Sequence, residues 1–178
     1  MKKKLVEEQI ERLINDASTY IQDQRQKYLE CARPLSLDDK ISLKRFFPIP
    51  ILDIARFLNV DNEKVESPEF LSRLNEQGYS FPEINSFGAT TFLDVIVWRK
   101  ELTPQLKFHE LVHVTQYQKL GLVEFADKYT RGLLNSGEYR NIPLEEQAYE
   151  LDKRYIENPD QIFLVEAEVT DWMTKGKY

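Results

Sequence analysis

One predicted helix contains both histidines of the chain and constrains its fold more than any other segment. Thr103 followed by Pro104 is typical of a helix start, because threonine caps free N–H groups and proline fits the first helical position. Gly121 is a typical stop signal, so we expect the helix to extend to Leu120. Its interior is unusually apolar, which indicates a helix buried in the protein core.

The two histidines, His109 and His113, are separated by one helical turn and flank Glu110. At about 100° per residue they lie within roughly 40° of each other, so both imidazoles project to the same side and can share one ion. An adjacent carboxylate can accept a proton from water at such a metal. This H-E-x-x-H spacing is the motif of zinc metallopeptidases, and it predicts two metal ligands and a general base. Gln116 and Tyr117 share the face of His113 and are candidates to line the site, and core packing explains Tyr117 equally.

A chance match is the alternative, because the motif also arises at random and two histidines can share an apolar face without a metal. Buried polar groups without partners cost on the order of 1–3 kcal/mol each, so a buried helix must give these three side chains partners. Metal coordination does so most simply, and we therefore favour the metal interpretation.

A catalytic zinc site needs a third protein ligand and an open position for water. The chain has a single cysteine, Cys31, and no third histidine, so we expect a carboxylate. The helix predicted from Pro143 to about Glu157 offers Glu145 and Glu146. Acidic residues are also common in a first turn for helix-dipole reasons alone.

The remaining segments predict a mostly helical protein with a minor sheet, which is the α+β class. The predicted elements are a helix from Leu5 to about Glu30, short helices from Ser36 toward Phe46, from Pro50 through Leu58 and from Ser67 to Gly78, a strand from Thr90 to Trp98, a helix from Leu122 to about Asn135, and a last helix from Asn158-Pro159 to Gly176. Turn signals are Phe81-Pro82, Phe87-Gly88 and Ser136-Gly137. We expect one domain over residues 1–178, with a helical N-terminal scaffold (1–80), a metal-site core (88–157) and a C-terminal helix (158–178).

Charge and hydropathy exclude several classes of partner. The chain has 24 Lys and Arg against 30 Asp and Glu, so its net charge of −6 disfavours nucleic acid. Its apolar runs are too short to span a bilayer, and glutamates interrupt the segment where a signal peptide would be apolar. An unpaired cysteine suits a reducing compartment. We expect a cytoplasmic protein that binds neither nucleic acid nor membranes.

Three segments of the chain together resemble a known family. They are His109–Tyr117, Phe125–Gly132 and Ile142–Asp152. In this order they resemble small gluzincin-type zinc metallopeptidase domains (minigluzincin-like), including those associated with extracellular contractile injection systems. The resemblance covers roughly residues 88–155. It implies a zincin-like fold with a small sheet beside the H-E-x-x-H helix, and an edge strand that pairs with an extended peptide or protein substrate. An ordinary core strand is the equal alternative for the strand predicted from Thr90 to Trp98.

The same resemblance implies a role for each site residue. In such families the two motif histidines and the glutamate of an E-x-x-A pattern bind one zinc ion, and the motif glutamate is the general base. Carried onto this chain, it implies His109, His113 and Glu145 as zinc ligands and Glu110 as the base. Ala148 completes the pattern with Glu145, which favours Glu145 over its neighbour.

The chain departs from the family at one position. Many gluzincins have an aspartate four residues after the ligand glutamate, where this chain has Tyr149. If Glu146 were the ligand, Glu150 would occupy that place. The N–H partner of a ligating histidine is expected to be Tyr149, Glu150 or a main-chain carbonyl. Tyr139 and Arg140 are candidate donors to the oxyanion of peptide hydrolysis, and the favoured alternative for each is an ordinary surface residue.

Two functions agree with these features. The first is a zinc metallopeptidase in which Glu110 activates water. The alternative is a zincin-fold binding or assembly module with weak or no catalysis, which the small size of the chain and Tyr149 favour. A metal-free helical domain is the third interpretation.

Overall fold

The computed structural model describes residues 5–61, 63–76, 78–79, 83–136, 138–158 and 160–178. The helices within these ranges are α1 (Glu7–Leu29), α2 (Leu37–Leu43), α3 (Ile49–Ile54), α4 (Glu69–Glu76), α5 (Pro104–Leu120), α6 (Leu122–Ser136), α7 (Pro143–Glu157) and α8 (Val165–Thr174). The strands are β1 (Arg33–Pro34), β2 (Arg56–Asn59), β3 (Ala89–Phe92) and β4 (Val95–Trp98). Short 3₁₀ helices lie at Ile84–Ser86 and Tyr139–Asn141. The α+β class is confirmed.

The four strands form one mixed sheet in the order β1-β2-β4-β3. The pairs β1–β2 and β4–β3 are antiparallel, whereas β2 and β4 are parallel. Among the described residues β3 is therefore an edge strand. Leu93 has a φ of 61° in the two-residue turn between β3 and β4, a backbone conformation that such a tight hairpin requires.

The sheet is covered by helices on both faces. Along β4, Val95 and Val97 pack on the side of α1 with its Tyr28, while Ile96 faces Phe108 and other apolar residues of α5. This alternation follows from the two-residue period of a strand. The sheet thereby fixes α5 at the centre of the molecule.

The ends of α5 are capped as the sequence predicts. Thr103 Oγ1 accepts a hydrogen bond from the Leu106 N–H at 3.1 Å, and Gly121 ends the helix with a φ of 76°. All ten side chains from Phe108 to Tyr117 are buried. Because no face of the helix is exposed to solvent in this stretch, its polar side chains must form hydrogen bonds inside the protein.

Most predicted helices are confirmed close to their expected bounds, but the helix predicted from Pro50 through Leu58 is wrong in its second half. The helix α3 ends at Ile54, and Arg56–Asn59 form β2 instead. These residues pair with β4 over its whole length. A contact with residues so distant in the chain overrides local helical periodicity.

Two further boundaries differ from the predictions. The strand predicted from Thr90 to Trp98 is a hairpin of two strands, β3 and β4. The last helix begins at Val165 rather than at Asn158, because the preceding segment inserts Phe163 into the core and the Val165 N–H donates to the Phe46 carbonyl. Pro159, Phe81-Pro82 and Gly137 lie outside the described residues.

None of the helices in the described ranges combines the length and the apolar character that crossing a membrane requires.

Candidate metal centre

Two helices bring the site residues together. The helix α5 contributes His109, Glu110 and His113, and the first turn of α7 contributes Glu145; their exposed fractions are only 5, 4, 5 and 1%. The two Nε2 atoms lie 3.1 Å apart. Glu145 Oε2 is 3.3 Å from His109 Nε2, and Glu145 Oε1 is 3.5 Å from His113 Nε2. These three side chains form a candidate metal site, which we call the His-His-Glu cluster.

The close approach of α7 to α5 selects which glutamate reaches the histidines. Ala148 is fully buried, and its small side chain permits close helix packing. Glu145 therefore faces α5, whereas Glu146 and Glu150 are exposed. The structure places Glu145, and neither of the other two, beside the histidines.

The outer nitrogen of His109 faces a carboxylate. Asp152 Oδ2 accepts a hydrogen bond from His109 Nδ1 at 2.8 Å, and Gln105 Nε2 donates to the other oxygen of Asp152 at 2.9 Å. A carboxylate only accepts hydrogen bonds, so the proton of a neutral His109 lies on Nδ1 and its Nε2 presents a lone pair to the cluster.

The orientation of His113 follows from a side-chain amide. Gln116 Nε2 donates to the Leu144 carbonyl at 3.0 Å and to Gln147 Oε1 at 2.9 Å, so Gln116 Oε1 is the acceptor 2.8 Å from His113 Nδ1. The proton of a neutral His113 therefore also lies on Nδ1. Both histidines consequently turn a lone pair on Nε2 toward the same point.

Two hydroxyl groups hold the third member of the cluster. Tyr139 and Tyr129 donate to Glu145 Oε1 at 2.6 and 2.9 Å, which leaves Glu145 Oε2 for the cluster. Burial raises the pKa of both phenols well above the ordinary value, so they stay protonated donors. Arg140, the other candidate oxyanion donor, instead lies over the Tyr149 ring at 5.2 Å.

The geometry of the cluster fits a tetrahedral metal ion. Three acceptor atoms that converge in a buried place repel one another unless a cation or a proton lies between them. Ligand bonds of about 2.0–2.1 Å to zinc at tetrahedral angles require ligand atoms about 3.3–3.4 Å apart. The Nε2–Nε2 separation of 3.1 Å and the separation of 3.3 Å between His109 Nε2 and Glu145 Oε2 lie close to that value, and the Glu145 carboxylate approaches His113 Nε2 to 3.5 Å through Oε1.

The pKa values of the cluster also indicate a site that holds positive charge. Burial alone would lower the pKa of His109, but the hydrogen bonds with Asp152 and Glu145 outweigh burial and raise it to about 10. Burial alone would raise the pKa of Glu145, but the charge of His113 and the hydrogen bond with His109 hold it well below the ordinary range. Without a metal, the cluster therefore retains a proton at neutral pH.

We expect this proton to make the stability of the metal-free protein depend on pH. Because the folded pKa of His109, about 10, exceeds the ordinary 6.5, its contribution is fully present below pH 6.5 and is lost as the pH rises toward 10. The Tm of the chelator-treated protein should fall between pH 7 and pH 10. The Tm of the zinc-loaded protein should fall less over the same pH range, because the metal then takes the place of the proton. Equal falls in both forms, measured by calorimetry, would contradict this assignment.

Glu110 lies beside the cluster and is held by the edge strand. Thr91 Oγ1 on β3 donates to Glu110 Oε2 at 2.6 Å. Glu110, His113 and Glu145 all line one cavity of about 190 Å³. Thr91 thus positions a carboxylate at the inner end of that cavity, where it can take a proton from a bound molecule.

The sequence prediction missed several hydrogen-bond partners of the site, among them Asp152 and Thr91. Asp152 holds His109, whereas Tyr149, Glu150 and a main-chain carbonyl were expected. Asp152 lies seven residues after Glu145, two turns along the same face of α7. Because residues seven apart share a helix face, this spacing is the signal in the sequence that identifies Asp152 as a candidate partner. Thr91 has no signal in the sequence, because a strand and a helix must first fold together.

Comparisons with known proteins do not extend this description. No model of a protein family matches the sequence, and no curated protein and no solved structure matches it significantly. The functional information therefore lies in the site itself, a buried His-His-Glu cluster that could hold a metal ion, with a glutamate beside it.

Proposed function

We propose that the protein is a zinc-dependent metallopeptidase of the gluzincin type, with a zincin-like fold. The observation that carries the proposal is the convergence of His109 Nε2, His113 Nε2 and the Glu145 carboxylate at separations of 3.1 to 3.5 Å, with the outer nitrogen of each histidine already bonded. The carboxylate of Glu110 beside the cluster favours hydrolysis over a purely structural metal.

Each residue of the site has a defined task in this proposal. A zinc ion held by the cluster would supply a Lewis acid that polarises a peptide carbonyl and lowers the pKa of water. Glu110 accepts the proton of the attacking water on its carboxylate and passes it to the leaving amine. Thr91 fixes the orientation of that carboxylate. Tyr139 is the assigned donor to the oxyanion: its hydroxyl lies at the cluster and would turn from Glu145 Oε1 to the oxyanion, while Tyr129 continues to hold Glu145.

The edge strand β3 has backbone groups that are available to pair with an extended peptide. The Arg99 N–H donates to the Gly88 carbonyl at 2.8 Å, so the alternation of an antiparallel pair turns the backbone groups of Ala89 and Thr91 away from β4. Both residues line the cavity that contains Glu110. A peptide that paired with this edge would pass in front of the cluster.

Elemental analysis and a peptide library test the proposal. Protein purified without chelator is expected to contain about one zinc per chain, the stoichiometry of a single catalytic site. It should cleave peptides, lose this activity with a chelator and regain it when zinc is returned. Absence of bound metal after zinc addition would overturn the metal site, and stoichiometric zinc without cleavage of any peptide would overturn the peptidase.

The enclosure of the site favours a second candidate function. The three cluster residues and Glu110 are at most 5% exposed, which suits a zinc-stabilised binding or assembly module as well as an enzyme. Stoichiometric zinc without cleavage is the result that this candidate predicts.

A further inference from the structure

We infer that the N-terminal helices α1 and α4, with α6, form a binding pocket for one large, uncharged apolar side chain of the substrate, next to the peptide bond that is cleaved. This inference rests on the proposed peptidase function and deepens it. It assigns part of substrate selection to α1 and α4, which lie outside the predicted metal-site core.

The pocket extends from the cluster between the N-terminal helices and α6. Apolar side chains from three helices line its outer part: Leu13 and Ala17 of α1, Phe70 and Leu71 of α4, and Leu133 and Leu134 of α6. Its more deeply buried, inner end contains Glu110, His113, Glu145 and the two tyrosines that hold Glu145. The reacting bond therefore lies at the inner end, and the apolar part receives a neighbouring group.

The charge of the lining excludes ionic side chains. Among the described residues that line the cavity, none is Lys or Arg, and the only carboxylates are Glu110 and Glu145. Both carboxylates already have hydrogen-bond partners at the inner end: Thr91 for Glu110, and the two tyrosines for Glu145. An acidic or basic side chain would lose its hydration in the outer part without gaining a partner.

The size of the cavity suits one large side chain. Its volume is about 190 Å³. For comparison, an apolar cavity of about 150 Å³ is enough to bind benzene. The pocket therefore accepts an aromatic ring or a branched aliphatic group of Leu or Phe size, and it is too large to be filled by Ala.

One polar group in the wall is available to a peptide. In the part of the chain that the structure describes, the buried Thr90 Oγ1 has no hydrogen-bond partner, and Thr90 lines the cavity. A buried hydroxyl without a partner is costly, and a peptide group of a bound substrate would satisfy it. This supports a peptide rather than a pure hydrocarbon as the occupant.

A cavity-filling variant on α1 tests the inference. Ala17→Phe places a ring in the pocket, and Thr19→Phe adds the same ring at an exposed position two residues along the helix. Leu71→Ala enlarges the pocket from the opposite wall. Zinc-loaded proteins are assayed on peptides that differ only in the residue beside the cleaved bond: Ala, Leu, Phe, Trp, Asp or Lys. Binding of toluene by saturation-transfer NMR provides a measurement independent of cleavage.

For the wild type we expect kcat/KM for Leu and Phe to exceed that for Ala by about 100-fold, since each methylene in a hydrophobic pocket is worth about tenfold or more. Ala17→Phe should remove this preference and toluene binding, Thr19→Phe should retain both, and Leu71→Ala should improve the Trp peptide.

Equal cleavage of all peptides, unchanged in Ala17→Phe and Leu71→Ala, would overturn the pocket and leave the peptidase intact. Toluene binding that Ala17→Phe abolishes, without cleavage of any peptide, would support an apolar pocket while overturning the peptidase function.

Discussion

Glu110→Gln is expected to retain about one zinc per chain and to lose about 10²–10⁴-fold in kcat/KM, because a general base contributes an effect of this size and no other carboxylate of the site is free. The amide is nearly isosteric and still accepts the hydrogen bond from Thr91, so the cavity keeps its shape. It cannot accept the proton of water. Zinc content by mass spectrometry and initial rates on a cleaved peptide measure the two effects separately.

Glu150→Gln is the matched control for this variant. It makes the same chemical change at an exposed position of α7, away from the cluster. We expect the control to have wild-type activity. Wild-type activity of Glu110→Gln on every peptide would show that Glu110 is not the base.

Glu145→Gln is expected to weaken zinc binding by more than about 100-fold. Loss of an outer hydrogen-bond partner of a metal ligand already costs about 10–100-fold in affinity, and loss of a charged ligand should cost more. The amide can still accept the hydrogen bonds of Tyr129 and Tyr139, so the fold should survive. Competition with a zinc-binding dye measures the affinity, and circular dichroism checks the fold.

Two companion variants make this result specific. Glu146→Gln changes the adjacent, exposed glutamate and should keep wild-type affinity. Asp152→Asn removes the charge that faces His109 Nδ1 and should give an intermediate loss of about 10–100-fold. If Glu146→Gln lost zinc and Glu145→Gln retained it, the ligand assignment would be wrong.

Local signals were sufficient for the parts of the site that lie within one helix. The caps Thr103 and Gly121 delimit α5, and the spacing of the histidines follows from helical geometry alone. The family pattern predicts Glu145 as the third ligand, and in the structure Glu145 lies beside the two histidines. Whether a metal binds there remains a prediction.

Contacts between distant segments explain what the sequence did not indicate. The residues of β2 are stabilised as a strand by pairing with β4, which no local pattern reveals. Phe163 similarly interrupts the predicted last helix, because its side chain is needed in the core beside Phe46 and Phe108. The Thr91–Glu110 hydrogen bond depends on the same tertiary arrangement.

The uninterrupted burial of α5 from Phe108 to Tyr117 has a consequence for descendants of this chain. Side chains without access to solvent resist replacement for reasons of packing as well as chemistry, and a buried polar network that loses one member destabilises the rest. Descendants without the proposed activity would therefore be slow to lose the two histidines. Retention of the motif alone would not separate active from inactive descendants, whereas drift at Thr91 or Ala17, which lie outside that helix, would be more informative.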